Sequence, residues 1–124
     1  MAEQLYGELG NKEFDNLVAG NKVPILYKGV VVAQGQGVLE RGSVLGIVEA
    51  TDKGLLCVAA SVDGSQEAKY VLAETVDTTA EDVNAQCYQS GELNRGALIF
   101  GSTDTADMHE DELRKNGIFL RDIN

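Results

Sequence analysis

The side chains able to carry chemistry are few in this 124-residue chain, and their spacing limits what they can do. His109 is the only histidine, set in the stretch DMHEDELRKNG among Asp107, Glu110, Asp111 and Glu112. A general base, or a nucleophile-activating triad of the ordinary kind, would have to use it. The acidic neighbours suggest a calcium site, yet the alternating Asp-x-Asp-x-Asp-Gly loop that gathers oxygens around one ion is absent. Carboxylates in the first turn of a helix are favoured by the helix dipole without any ligand. On that reading His109 is expected to be a solvent-exposed residue of a short helix.

The second candidate is GVLERGSVLG, residues 37–46. A dinucleotide-binding loop needs Gly-x-Gly-x-x-Gly between a strand and a helix. Here Gly35 and Gly37 are followed by Glu40 where the third glycine belongs, and the next element reads as a strand. A carboxylate at that point repels a pyrophosphate. The structural reading is a turn: Glu40 and Arg41 occupy it, Gly42 supplies the positive φ it requires, and the flanking Val-Leu pairs form the two arms of a hairpin.

Cys57 and Cys87 lie in apolar stretches with no metal-ligand spacing beside them, and are expected to be buried free thiols. Ser61, Ser65, Ser90 and Ser102 fall in expected loops or strand ends, none within Gly-x-Ser-x-Gly. No nucleophile, cofactor or metal site is nominated, and the chain does not read as an enzyme.

The elements that would position these residues are mostly strands. Hydrophobic residues make up 44% of the chain, but with only 4 Tyr, 3 Phe and no Trp the core must be built from Val, Leu, Ile and Ala. With 14 glycines and 1 proline, that mixture favours short strands and many turns. PILYKGVVVAQ, SVLGIVEA, GLLCVAA, KYVLAET and VNAQCYQSG read as strands, with turns at Thr51-Asp52-Lys53-Gly54 and Asp77-Thr78-Thr79. The spacing of the strands, roughly ten residues, predicts a small barrel or sandwich. Only residues 107–116 break the rhythm, as a helix capped by Asp107 with Glu110 at its third position, Arg114 and Lys115 in its last turn, and Gly117 as terminator. Ile118, Phe119 and Leu120 follow as an apolar tail expected to pack on the core or on a neighbouring subunit.

Residues 1–20 differ from the rest and read as an N-terminal arm preceding a single domain, residues 21–124. Leu5, Tyr6, Leu9 and Phe14 are its candidate anchors, with their packing on the chain's own core as the equal alternative. The start MAEQLYGELG has no basic or apolar signal region, and no apolar run is long enough to span a bilayer, so a soluble protein of a reducing compartment is expected. The formal charge of -10 disfavours any surface that must approach nucleic-acid phosphates.

VLERGSVLG, ASVDGSQEAKYVLAETVD and YQSGELNRGALIFG, followed by the helix and GIFL, stand in the order found in bacteriophage head decoration proteins. From about Gly37 to Leu120 the chain resembles that family, whose type is the lambda capsid-stabilising protein D. The first 36 residues carry no motif that aligns with it. The resemblance implies a β-clip fold and a homotrimer seated at three-fold positions of the expanded phage head. It implies the major capsid protein as partner, and an N-terminal segment that orders on that partner. It also implies residence on the outer surface of the virion, with the host cytoplasm as the place of assembly. Two other readings remain at this stage: a small-ligand-binding or catalytic β-clip domain, and an adaptor that uses the acidic face on some other surface.

Overall fold

A computed structural model describes residues 17–20 and 23–122. The candidate anchors Leu5, Tyr6, Leu9 and Phe14 lie outside the described residues. Among those described, the chain is mainly β with a single short helix near its C-terminus.

The strands are β1 (Val18–Gly20), β2 (Leu26–Val32), β3 (Val38–Leu39), β4 (Val44–Ile47), β5 (Gly54–Leu56), β6 (Tyr70–Leu72), β7 (Val76–Asp77), β8 (Val83–Asn94) and β9 (Ile118–Arg121), with helix α1 (Ala106–Lys115) between the last two. A 7-stranded sheet follows the order β9-β8-β2-β5-β4-β6, with β1 also on β8. Because β6 pairs with β8 as well, the path of hydrogen bonds returns on itself. β3 and β7 pair separately.

Strand β2 forms where the sequence concentrates β-branched residues, Val30 to Val32, just after Pro24. The proline lacks only an N–H, and its carbonyl still accepts from Ser90 Oγ at 2.7 Å. Strand β8 is the organising element. Its 12 residues contact both halves of the core, and a register slip opposite Leu26 and Tyr27 lets it turn from one to the other. Ala85 and Cys87 enter one buried cluster with Val30, Val32, Leu45 and Leu72, while Tyr88 and Leu93 enter the other with Leu17, Val44, Val71, Leu113 and Ile118. Alternation along β4 and β6 sends Val44 and Val71 to one cluster and Leu45 and Leu72 to the other, so these two strands are buried on both faces.

Strand β9 runs parallel to β8, a pairing that demands a crossover, and α1 supplies it. Leu113 faces the core with no exposed surface, and Gly117 ends the helix at φ +94°. The cap differs from expectation. Thr105 is the N-cap and makes no side-chain cap bond, while Asp107 sits in the first turn and pairs with Arg95 at 3.1 Å. Asp107 is drawn outward by this guanidinium, which also holds Glu110 (2.6 Å) and Asp122 (2.9 Å). In the apolar tail, Ile118 is fully buried and Phe119 stays 38% exposed.

The opening Val-Leu pairs are not the two arms of one hairpin. Val38 and Leu39 pair with Asp77 and Val76, whereas Val44 and Leu45 pair with Val71 and Tyr70. All four pairs keep one antiparallel register, so 38–45 and 70–77 lie side by side as a single interrupted ladder. The Glu40 to Ser43 turn kinks the chain without reversing it. Gly42 donates its N–H to Leu72 at 3.0 Å and accepts from Ile99 N at 3.0 Å, which keeps this stretch beside its partner.

Candidate functional site

The described residues hold one buried cluster of potentially reactive groups, and it is built around the histidine. His109 is only 1% exposed, which corrects the expectation of a solvent-facing residue. The reason is helical spacing. Leu113 lies one turn on and is the helix residue that anchors the core, so the imidazole shares its inward face despite the acidic sequence around it. Phe100 stacks on the ring at 5.1 Å between centroids and 14° between planes.

Both ring nitrogens meet carboxylates. Nε2 lies 2.7 Å from Asp104 Oδ2, and Nδ1 lies 2.7 Å from Glu112 Oε1. Each carboxylate also accepts a backbone N–H, Asp104 from Ala59 at 2.6 Å and Glu112 from Ala68 at 2.8 Å. Burial opposes charge on the imidazole, but the hydrogen bonds to Glu112 and Asp104 outweigh it and raise the His109 pKa. In turn the His109 hydrogen bond, assisted by Ala59 N–H, holds Asp104 below the usual carboxylate range. The arrangement is an imidazolium donating to both sides, and it ties the loop before α1, the helix itself and residues 57–68 together.

Cys57 lies beside it, with Sγ 3.7 Å from His109 Nδ1. A cysteine and a histidine in contact suggest a nucleophile and its base. The surroundings oppose that chemistry, because burial first, and the charges of Glu112 and Asp104 second, push the Cys57 thiol up to about 12. The reactive form of cysteine is the thiolate, and here it is suppressed. Nδ1 is engaged by Glu112, so no base is free for the sulfur. Cys87 is likewise buried and raised to about 12, by burial and then by Glu74.

The glycine loop makes no phosphate cradle either. Gly35 is at φ +91° and Gly37 at φ +74°, but the N–H groups turn inward. Gly35 N donates to Thr78 O at 2.7 Å, and Gln36 N to Thr78 Oγ1 at 3.1 Å. Gly42 is buried at φ +100°, and a Cβ placed there would stand 2.8 Å from Ala97 O. Neighbouring Arg41 donates to Ala73 O and Tyr88 Oη, both at 2.9 Å, and its guanidinium lies over the Tyr88 ring.

Several large apolar side chains are exposed. Leu26 (54% exposed), Tyr27 (51%) and Val31 (40%) project from β2, and Val38 (60%) from β3. Tyr27 leans on Tyr88 with centroids 5.3 Å apart, and together with Val18, Arg41, Ala73 and Glu74 they line a groove. Val18, in the first described strand, is one of the residues lining it. Among the described residues, no helix is long and apolar enough to cross a membrane.

The described residues thus hold two suppressed thiols, an imidazole paired with carboxylates on both sides, and several exposed apolar side chains. The chain belongs to the family of bacteriophage lambda head decoration protein D, which matches it over residues 8–118. The match reaches well upstream of Gly37, into residues where no motif stands out by eye. No curated protein matches the chain. Membership makes this a structural protein of the phage head, with a role in decorating the capsid and a place on the virion.

Proposed function

We propose that the chain forms a homotrimer of β-clip domains at three-fold positions of the expanded phage head. There it clamps neighbouring major capsid protein subunits against the pressure of packaged DNA. The family match over residues 8–118 carries this reading. The exposed apolar residues of β2 and β3 supply surface for subunit or capsid contact, and the net charge of -10 disfavours a direct role on nucleic acid.

In this proposal residues 1–20 act as the arm of a domain formed by residues 21–124, with Leu5, Tyr6, Leu9 and Phe14 as its anchors. Strand β1 is its base: Val18 pairs with Leu93, and Leu17 is 2% exposed in the core. An arm can add a strand to a sheet edge on the shell, gaining affinity through backbone hydrogen bonds. Three arms on one trimer make the second and third attachments intramolecular, which strengthens binding by about 10²–10⁴ without new contacts. A shell conformation that displays all three docking edges is then selectively stabilised.

Mixing the purified protein with expanded and unexpanded empty heads and imaging both by electron microscopy tests the reading. Density on the expanded particles alone, at three-fold positions, is expected. Equal decoration of both forms, or of neither, overturns it.

A further inference from the structure

Strand β2 is fully paired on one side only. From Leu26 to Val32 it lies against β8, but it meets β5 at a single residue pair, Val32 and Gly54. Among the described residues, 26–31 therefore present an edge without a ladder partner. That edge and the β4–β5 turn bound an open cleft of about 400 Å³, a volume in the range of pockets that hold ligands. We propose that this seam receives an extended, acidic segment of the major capsid protein, which adds to β2 as a strand while its carboxylates meet Lys28, Lys53 and Lys69. The inference rests on the decoration reading above and names a second point of attachment, on the body of the domain rather than on its arm.

The charges select the partner. The described residues include four lysines, and three of them, Lys28, Lys53 and Lys69, line the cleft. Asp52 is the acidic residue of the lining. Lys53 is answered by Asp82 at 2.7 Å, whereas Lys28 and Lys69 make no ion pair among the described residues. In a chain of net charge -10, two unanswered ammonium groups beside one short edge set this cleft apart.

The backbone fits an incoming strand. Gly29 sits in mid-strand at the cleft, outside the left-handed region and in regular register, and a Cβ there would touch only Asn84 Oδ1, at 3.3 Å. Neither a turn nor packing within the chain calls for this glycine, and glycine inside a strand marks a place where another backbone comes close. Val31, which is exposed, and Tyr70 add apolar surface to the lining. Main-chain pairing gives such a site affinity, and flanking side chains give it specificity. Lysine on a sheet edge ordinarily keeps other strands away. That protection is selective: a second copy of β2 brings ammonium against ammonium, whereas a strand carrying Asp or Glu is attracted. The occupant is therefore not the same edge of a neighbouring copy.

Amide hydrogen exchange of the full chain, free and bound to expanded empty heads, tests the inference and needs only wild-type protein. The amides of residues 28–31 that β8 leaves unpaired should exchange readily in the free protein and slow markedly on the head. Lys28→Glu combined with Lys69→Glu removes no ion pair and should keep the wild-type Tm. That double variant should bind heads about tenfold or more weakly, because like charges then face each other across the contact. Wild-type binding without new protection at 28–31 overturns the inference and leaves decoration standing, as does undiminished head affinity in a folded double variant. Complete protection in the unbound protein assigns the edge to a second copy and overturns it too. Failure of the wild type to bind heads at all defeats the decoration reading itself, and this inference with it.

Discussion

His109 Nε2 and Asp104 Oδ2 stand 2.7 Å apart across the gap between α1 and the loop that precedes it, with Glu112 closing the same imidazole from its other side. This couples stability to pH, and the two groups act at opposite ends of the range. The His109 pKa is raised above its ordinary value near 6.5, so its contribution is complete below that pH and disappears as pH rises through the raised value. The Asp104 pKa is lowered from 3.8, so its contribution is complete above that pH and disappears as pH falls through the depressed value. The cluster therefore stabilises most between roughly pH 4 and 6.5. Urea midpoints should decline from pH 6 to 8 in wild type and stay flatter in His109→Gln. A wild-type midpoint that rises over this interval contradicts the imidazolium.

Removing the imidazole altogether should be severe. His109→Ala leaves two carboxylates facing a vacated space, and loss of a partner from a buried ionic network destabilises by on the order of 3 kcal/mol. Partial exposure of Glu112 moderates the loss. Chemical denaturation of the variant reads it directly, and a change below about 1 kcal/mol would mean that the cluster is incidental to the fold.

Gly42→Val should destabilise by more than the roughly 1–3 kcal/mol of a strained backbone residue, because the new Cβ also meets Ala97 O at 2.8 Å. Thermal unfolding tests it. An unchanged Tm would show that the 40–43 turn relaxes freely.

The two thiols should be silent in the native protein. With both buried and raised to about 12, alkylation at pH 8 is expected to proceed only at the rate of opening of the fold, and to accelerate sharply in denaturant. Rapid labelling of either cysteine under native conditions would place it on a mobile surface.

Truncation to residues 17–124 separates body from arm. Leu17 and β1 remain in place, so the fold should persist with near wild-type Tm while decoration of expanded heads is lost. Full occupancy by the truncated protein would sink the arm proposal.

Local pattern made much of the architecture legible. The β-branched run before Gln34, the turn around Asp52 and the acidic-to-basic polarity of residues 107–115 each reflect preferences that act within a few residues. The four motifs in order pointed to the decoration family, and the match over residues 8–118 bears that out. The cap at Thr105 was missed because an acidic residue beside a helix start looks the same whether it caps the helix or answers an arginine elsewhere.

What chain order could not reveal is partnership over distance. Val38 and Leu39 look like one arm of a hairpin until the 70–77 segment arrives to take both Val-Leu pairs in a single register. His109 reads as exposed from its neighbours, and only the four-residue step to Leu113 hints that it turns inward. That Asp104, Glu112 and Cys57 converge on it was decided by the packing of α1 and the loop before it against residues 57–68, the segment that follows β5. Sequence determines what each stretch prefers to be, since backbone and side-chain preferences are short-ranged. Tertiary structure decides which side chains share a buried volume, because burial is a property of the whole packed chain.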